Sequence, residues 1–399
     1  MSDAGRRRLA GIYLSVLLFM AGEGALHVLV SPYLARELQL GPAAIGAVLG
    51  VFAGASLIAR LPAGAAYTRA RSRRLLLAGG GLSTGAFAVA PLAGSPVTFA
   101  GLMALDGLGW SVVTTTQLAV LVAARPSGMP AAAAMGWYSG FNGVGNTIGA
   151  AGGGFAGDRL GFHTSFLVLA AVVALGTALM VGSARGGDAA TGSERRHGLR
   201  DVGAALGRMP FAVWIGVLVM VYINFINGVV TTFHPVLALA AGLTLTQIGI
   251  LATCRSSASS VVRLGSGPLF ARVGTATLTM PFMVAGAVSV LLMPSVATSF
   301  ALQIPLFLAI GMSRGLLRVT GSAEAFEAVG DGDRDHGLTA ALIQSGLDVG
   351  KLTGPVIGGA VAELIGLAGM FRLLPLLVLG LYLALLSLAK SRRAAYIAD

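Results

Sequence analysis

Six ionisable side chains interrupt long apolar runs in this chain: the acids Glu23, Asp106 and Asp348, and the cations Arg255, Arg314 and Lys351. Each costs about 2.5 kcal/mol or more to place alone in an apolar medium, so each must face an interior, a partner or water. A sequestered carboxyl group can take up and release a proton, as coupling to a proton gradient requires, which makes Glu23 and Asp106 proton-coupling candidates. His27 follows Glu23 by four residues and shares its helical face. Asp348 and Lys351 are three apart and can pair on one face, as a structural pair or as a proton-sensitive switch. Arg255 and Arg314 have no acid beside them in the sequence. They suit a carboxylate, phosphate or sulfonate substrate, or else pair across helices with Glu23 or Asp106. Two amide pairs, Asn142 with Asn146 and Asn224 with Asn227, each share a face, for substrate hydrogen bonds or for bonds between helices.

The elements that position these groups follow from composition. Hydrophobic residues make up 55% of the 399 and charged residues 11%, with a mean hydropathy of +0.83. That composition marks a membrane protein, and apolar runs of about 20 residues without period-two alternation select helices over a barrel. Twelve segments are predicted, near 10 to 34, 42 to 66, 74 to 93, 97 to 122, 131 to 156, 162 to 183, 210 to 238, 246 to 268, 275 to 293, 298 to 318, 338 to 361 and 367 to 389. The longest polar interruption divides the chain into a bundle of residues 1–184, a linker of 185–209 and a bundle of 210–399. A second interruption, 321 to 337, carries five acids. Its Asp331-Gly-Asp333-Arg-Asp335 run is no calcium loop, because Leu342 stands where a bidentate acid is needed.

The net charge of +11 does not point to nucleic acid, because the cations gather in alternate short loops: Arg6 to Arg8, Arg69 to Arg74, Arg125, the linker, Arg272, Arg334 and Lys390 to Arg393. By the positive-inside rule those loops, the linker and both termini are cytoplasmic. Arg6 to Arg8 lead into an apolar run of some 25 residues without a cleavage pattern, read as an uncleaved first helix. The one cysteine, Cys254, excludes an intramolecular disulfide.

The two bundles are copies. Arg60-Leu61, Gly64 and Arg69 recur 203 positions later as Arg263-Leu264, Gly267 and Arg272, and Pro32, Ile45 and Gly46 recur in the same register as Pro235, Ile248 and Gly249. Further on the offset is 205: Gly145, Gly149, Gly161 and Phe166 match Gly350, Gly354, Gly366 and Phe371. An ordered pattern in one register is the mark of a tandem duplication. Asp348 and Lys351 have no copy, since Gly143 and Asn146 stand at the matching positions. Glycines four apart allow close helix approach, expected in a transporter where the halves rock.

Three motifs now carry a resemblance. The loop Gly64-x-x-x-Thr68-Arg69-x-Arg71-x-Arg73-Arg74 is similar to the Gly-x-x-x-Asp-Arg-x-Gly-Arg-Arg signature of the major facilitator superfamily, and Gly267-x-x-x-Ala271-Arg272-x-Gly274 is its counterpart. Gly350-x-x-x-Gly354-Pro355-x-x-Gly358-Gly359 resembles that family's Gly-Pro-rich helix. Thr68 and Arg71 depart from the signature's Asp and Gly. The resemblance implies an all-α membrane protein of twelve transmembrane helices in two pseudosymmetric six-helix bundles. It also implies a cavity lined by helices 1, 4, 7 and 10, and a conformational loop carrying Gly64, Arg69, Arg73, Arg74 and Arg272.

The function expected is secondary active transport by alternating access, with proton-coupled export of a small organic, anionic or amphipathic compound. Uptake of an organic acid is the alternative, and a membrane enzyme or receptor the reading from another class. No ATP-binding, metal-binding or other cofactor motif is present, since the glycine runs lack the Lys-Ser/Thr of a phosphate loop. The expected partners are the lipid bilayer, a small-molecule substrate and protons. The chain is expected to be a monomer in the cell's inner (plasma) membrane.

Overall fold

The computed structural model describes residues 3–68, 70–124, 131–184, 209–270, 275–329 and 333–398. Ten helical stretches run through them. The first four are α1 (Asp3–Arg36), α2 (Pro42–Ala66), α3 (Ser72–Val89) and α4 (Pro96–Ala124). The stretch Ala131–Ser183 breaks at Gly161, whose φ of 72° and ψ of 173° separate α5 (131–160) from α6 (162–183). Then follow α7 (Phe211–Ala240), α8 (Leu245–Phe270), α9 (Thr275–Leu292) and α10 (Phe300–Glu327). Asp333–Ala398 breaks in the same way at Gly366 (φ 75°, ψ 163°), giving α11 (333–365) and α12 (367–398). The two breaks occupy matching positions of the repeat, and both need a left-handed φ that glycine adopts without steric cost.

All twelve predicted segments are therefore helical. Nine of the described stretches are long and apolar enough to cross a membrane, two of them containing the glycine breaks; α8, with Arg255 and Arg263, is not among the nine. Two facing boundaries move into polar sequence: α10 runs on to Glu327 and α11 begins at Asp333, well inside the polar stretch predicted between them. Ala323, Glu324, Ala325 and Glu327 are good helix formers, so the chain stays helical where polarity alone suggests a loop. Most of the linker, with Arg69 and Arg272, lies outside the described residues.

The contacts group residues 1–191 with 231–257 as one compact unit and 192–230 with 258–399 as a second. In the first, α1 packs along the α5–α6 stretch, α2 along α4, and α3 against α4 and the α5–α6 stretch. A Cβ at Gly145, Gly149 or Gly153 of α5 would run into Leu17, Ala21 and Ala25 of α1, three contacts each one turn further on. In the second unit Gly346, Gly350 and Gly354 of α11 lie in the same way on Val217, Val221 and Phe225 of α7. The four-residue glycine spacing thus builds the interior of each unit, in place of the contact between halves expected from spacing alone. An aromatic knot fixes one end of the first unit: the Tyr33 ring centroid lies 5.2 Å from both Phe99 and Phe166, and both phenylalanines are fully buried.

Candidate substrate and proton sites

Glu23 and Asp106 are sealed inside the first unit, 1% and 0% exposed. Close helix packing holds them there. A Cβ at Gly24 would meet the Asn146 backbone of α5, and one at Gly107 would meet the Phe52 carbonyl of α2, so the residue beside each acid is pinned. His27 is half-buried. The α5 amides turn partly on themselves: Asn146 Nδ2 donates to the Asn142 carbonyl at 2.9 Å and to Asn142 Oδ1 at 3.2 Å. Asn142 also hydrogen-bonds Tyr138, whose hydroxyl lies within reach of the Arg60 charge. The Arg60 guanidinium carbon stands 5.4 Å from the centre of the Trp110 ring, and Trp110 leans on Phe52 at 6.1 Å. Phe52, Arg60, Trp110, Tyr138 and Asn142 thus bring α2, α4 and α5 together around one cation.

The first unit also contains the start of α8. Asp158, near the end of α5, accepts the Leu245 N–H at 3.0 Å and the Thr246 N–H at 2.7 Å. Thr244 N–H donates to Gln247 Oε1 at 3.0 Å and Gln247 N–H to Thr244 Oγ1 at 3.2 Å, a reciprocal capping box. The four N–H groups that a helix start leaves without intrahelical partners are all satisfied, two of them by a side chain 87 residues away. Further along the seam, Thr253 Oγ1 donates to the Thr147 carbonyl at 3.0 Å. Arg255, two residues on, is 7% exposed. Asp158 is absent from the candidates that sequence alone provides, although a signal for it exists: it stands at the acid position of Gly154-x-x-x-Asp158-Arg159-x-Gly161, and Glu363 is its copy 205 residues later.

In the second unit a small, partly open hollow lies among α7, α9 and α10, lined by Tyr222, Asn227, Ser313 and Arg314 with apolar neighbours. Arg314 and Asn227, from two different helices, share this one cavity. Asn224 is employed otherwise: its Nδ2 donates to the Leu347 carbonyl at 2.8 Å, tying α7 to α11. Asp348, 6% exposed, acts electrostatically on Arg318, as does Arg263. Arg263 itself donates to the Ser259 carbonyl at 3.1 Å and to Ser260 Oγ at 3.2 Å on its own helix. The acid of α11 thus belongs to a three-helix charge cluster that spacing along α11 does not show. Lys351 is half-buried.

The loop between α2 and α3 holds a further detail. Thr68, which departs from the signature acid, accepts the Arg71 N–H on its hydroxyl at 3.2 Å, and its carbonyl accepts the Ser72 N–H at 2.9 Å. A threonine can therefore supply the acceptor that starts α3. Gly64 and Arg74 are exposed and Arg73 half-buried.

The family model of the Major Facilitator Superfamily matches residues 12–334. The chain belongs to the Major Facilitator Superfamily. Membership makes it a multi-pass membrane transporter and not an enzyme. The fold agrees with solved members of similar architecture. The nucleoside transporter NupG superposes with a TM-score of 0.77 at 14% identity, over 96% of this chain and 97% of that one. A bacterial homologue of the human lysosomal transporter Spinster, in an inward-facing and unoccupied conformation, superposes with a TM-score of 0.72 at 14% identity, over 91% and 84%. No curated protein matches the chain.

Proposed function

We propose that this superfamily transporter couples proton movement to export of a small organic compound, anionic or amphipathic, by alternating access of residues 1–184 and 210–399. One observation carries the coupling: two carboxyl groups, Glu23 on α1 and Asp106 on α4, are completely withdrawn from the surface of one unit. A buried acid gains or loses a full charge with its proton, so conformations that hydrate it differently differ in proton affinity. Protons are the coupling ion, and the transporter acts as a monomeric antiporter in the plasma membrane with cytoplasmic termini. Arg314 with Asn227 in the hollow of the second unit supports an anionic substrate, because a planar guanidinium fork matches a carboxylate or phosphate. The same pair supports a second reading, proton-coupled uptake of an organic acid, with the buried Arg255 as a further cation.

The test is proton flux in proteoliposomes carrying a pH-sensitive dye, on addition of organic anions and cationic amphiphiles. Substrate-driven proton movement is expected in wild type and is lost in Glu23→Gln or Asp106→Asn. Substrate movement without proton flux, or wild-type coupling in both variants, removes the proposal. The direction of proton movement relative to substrate separates export from uptake.

A further inference from the structure

The two units pack to one pattern, and the pattern fixes which residues correspond in space. A Cβ at Gly145 would meet the Leu17 carbonyl and the Met20 Cβ, and one at its copy Gly350 would meet the Val221 carbonyl and the Asn224 Cβ. Both pairs are 204 apart, so α1 and α7 match in packing at 204, one residue beyond the offset of Pro32 and Pro235. In the same way Gly109 of α4 lies on Ser83 of α3, and Ser313 of α10 lies on Gly286 of α9, with glycine and serine exchanged. That sets 204 for α4 with α10 and 203 for α3 with α9. The contacts of Gly107 with Phe52 and of Gly315 with Ser259 agree: moved on by one turn and carried across at 204 and 203, the first falls on the second.

At these offsets the lining of the hollow in the second unit has a counterpart in the first. Glu23 stands for Asn227, Asp106 for Ile310, Ser83 for Gly286 and Trp110 for Arg314. Ser83 is 0% exposed, and its hydroxyl makes no hydrogen bond among the described residues. Three buried polar side chains, from α1, α3 and α4, therefore converge inside the first unit, where the second has an amide, an isoleucine and a glycine.

We propose that Glu23 and Asp106 face one another across this buried locus and hold one exchangeable proton between them, so that the two carboxyl groups form a single coupling site. Two carboxylates side by side in a low-dielectric interior repel strongly, so at least one of them keeps a proton and the two titrate as a unit. The Ser83 hydroxyl is placed to donate to the oxygen that carries the charge. The charged groups nearby are His27, one turn along α1, and Arg60 of α2, held over the Trp110 ring. The other neighbours of α1 are neutral here: α5 presents the Asn146 backbone beside Gly24, and α6 the Val173 side chain beside Gly22. The proton leaves when alternating access hydrates the locus and returns when the locus closes, one per cycle. The proposal rests on the proton-coupling reading above and deepens it, from two candidate acids to one shared proton.

The experiment is infrared spectroscopy of the carboxyl C=O stretch against pH, on the full-length chain in liposomes, which needs no substrate and no transport. Bands are assigned by their loss in Glu23→Gln and Asp106→Asn, both close in shape to the native residues. The wild type is expected to titrate in two steps. The acid left in each variant titrates in one step, displaced by about 1 pH unit or more from both. A wild-type curve that is the sum of the two variants' curves overturns the proposal. A second measurement tests proximity directly: with Cys254 replaced by alanine, the Glu23→Cys/Asp106→Cys chain is treated with mercuric chloride and washed with a monothiol. Intact mass is expected to show one mercury retained per chain in the double variant and none in either single variant; loss of mercury from the double variant overturns the proposal. Displaced steps without proton flux uphold the shared proton and remove its role in transport, whereas flux that is lost in both variants with additive titration curves does the reverse.

Discussion

Polar side chains in a membrane interior divide by what their hydrogen bonds already do. Asn224 and Asn227 are one turn apart on α7, and sequence spacing treats them alike. The structure separates them: Asn224 donates to the Leu347 carbonyl, and Asn227 lines the hollow with Arg314. Asn224→Ala is expected to lower the thermal midpoint by the loss of one interhelical bond, about 0.6 to 1.7 kcal/mol, with substrate affinity unchanged. Asn227→Ala is expected to weaken substrate binding more than Asn224→Ala does. A thermal-shift assay paired with transport kinetics checks both, and the opposite assignment exchanges the two results. Spacing also places Asp348 beside Lys351 without revealing Arg318, because a contact between helices leaves no trace in the order of residues along one of them. Glu23 and Asp106 are legible for the contrary reason: a charge inside an apolar run is conspicuous before any contact is known.

At the scale of the element, long apolar runs locate the twelve helices, and their ends depend on chemistry that hydropathy does not score. The α10 end and the α11 start reach into polar sequence because helix propensity and membrane solubility are separate properties. The start of α8 is the clearest case. Thr244 and Gln247 are a capping box readable from sequence, but the remaining two N–H groups are satisfied by Asp158, which only folding brings there. A carboxylate at a helix N-terminus also meets the positive end of the helix dipole. Asp158→Ala is expected to cost about 1 to 2 kcal/mol, and Asp158→Asn less, since an amide oxygen still accepts one bond. Thermal denaturation in detergent measures this, and no change in Asp158→Ala would show that water serves the α8 start equally well. Removing the clasp also frees α8 to leave α5, so the transport rate is expected to change more than substrate affinity.

For the whole molecule, the repeat is the most informative feature of the sequence, because duplicated glycines mark duplicated packing. Gly145 and Gly149 meet α1 as Gly350 and Gly354 meet α7, and Gly161 and Gly366 turn the chain with nearly equal φ. The repeat also hides something: symmetry draws attention to what is shared, whereas Glu23 and Asn227 become informative through what differs between them. The asymmetry of loop cations predicts an orientation in which the Arg71-to-Arg74 start of α3, the linker and both termini face the cytoplasm. With Cys254 replaced by alanine, a single cysteine placed at Arg74 is expected to be shielded from a membrane-impermeant maleimide in intact cells and modified in inverted vesicles, with one placed at Gln39 behaving oppositely. The same result at both positions would contradict the assignment.

The seam between α5 and α8 has a practical corollary for spectroscopy. Cys254 follows Thr253, whose hydroxyl holds the Thr147 carbonyl, and it is the one thiol in 399 residues, half-buried in this conformation. A fluorophore or nitroxide attached there labels the native chain at a single stoichiometric position, with no competing thiols to remove beforehand. Its emission or spin mobility then records, in real time, whether that seam is dry or wet as ligands are added.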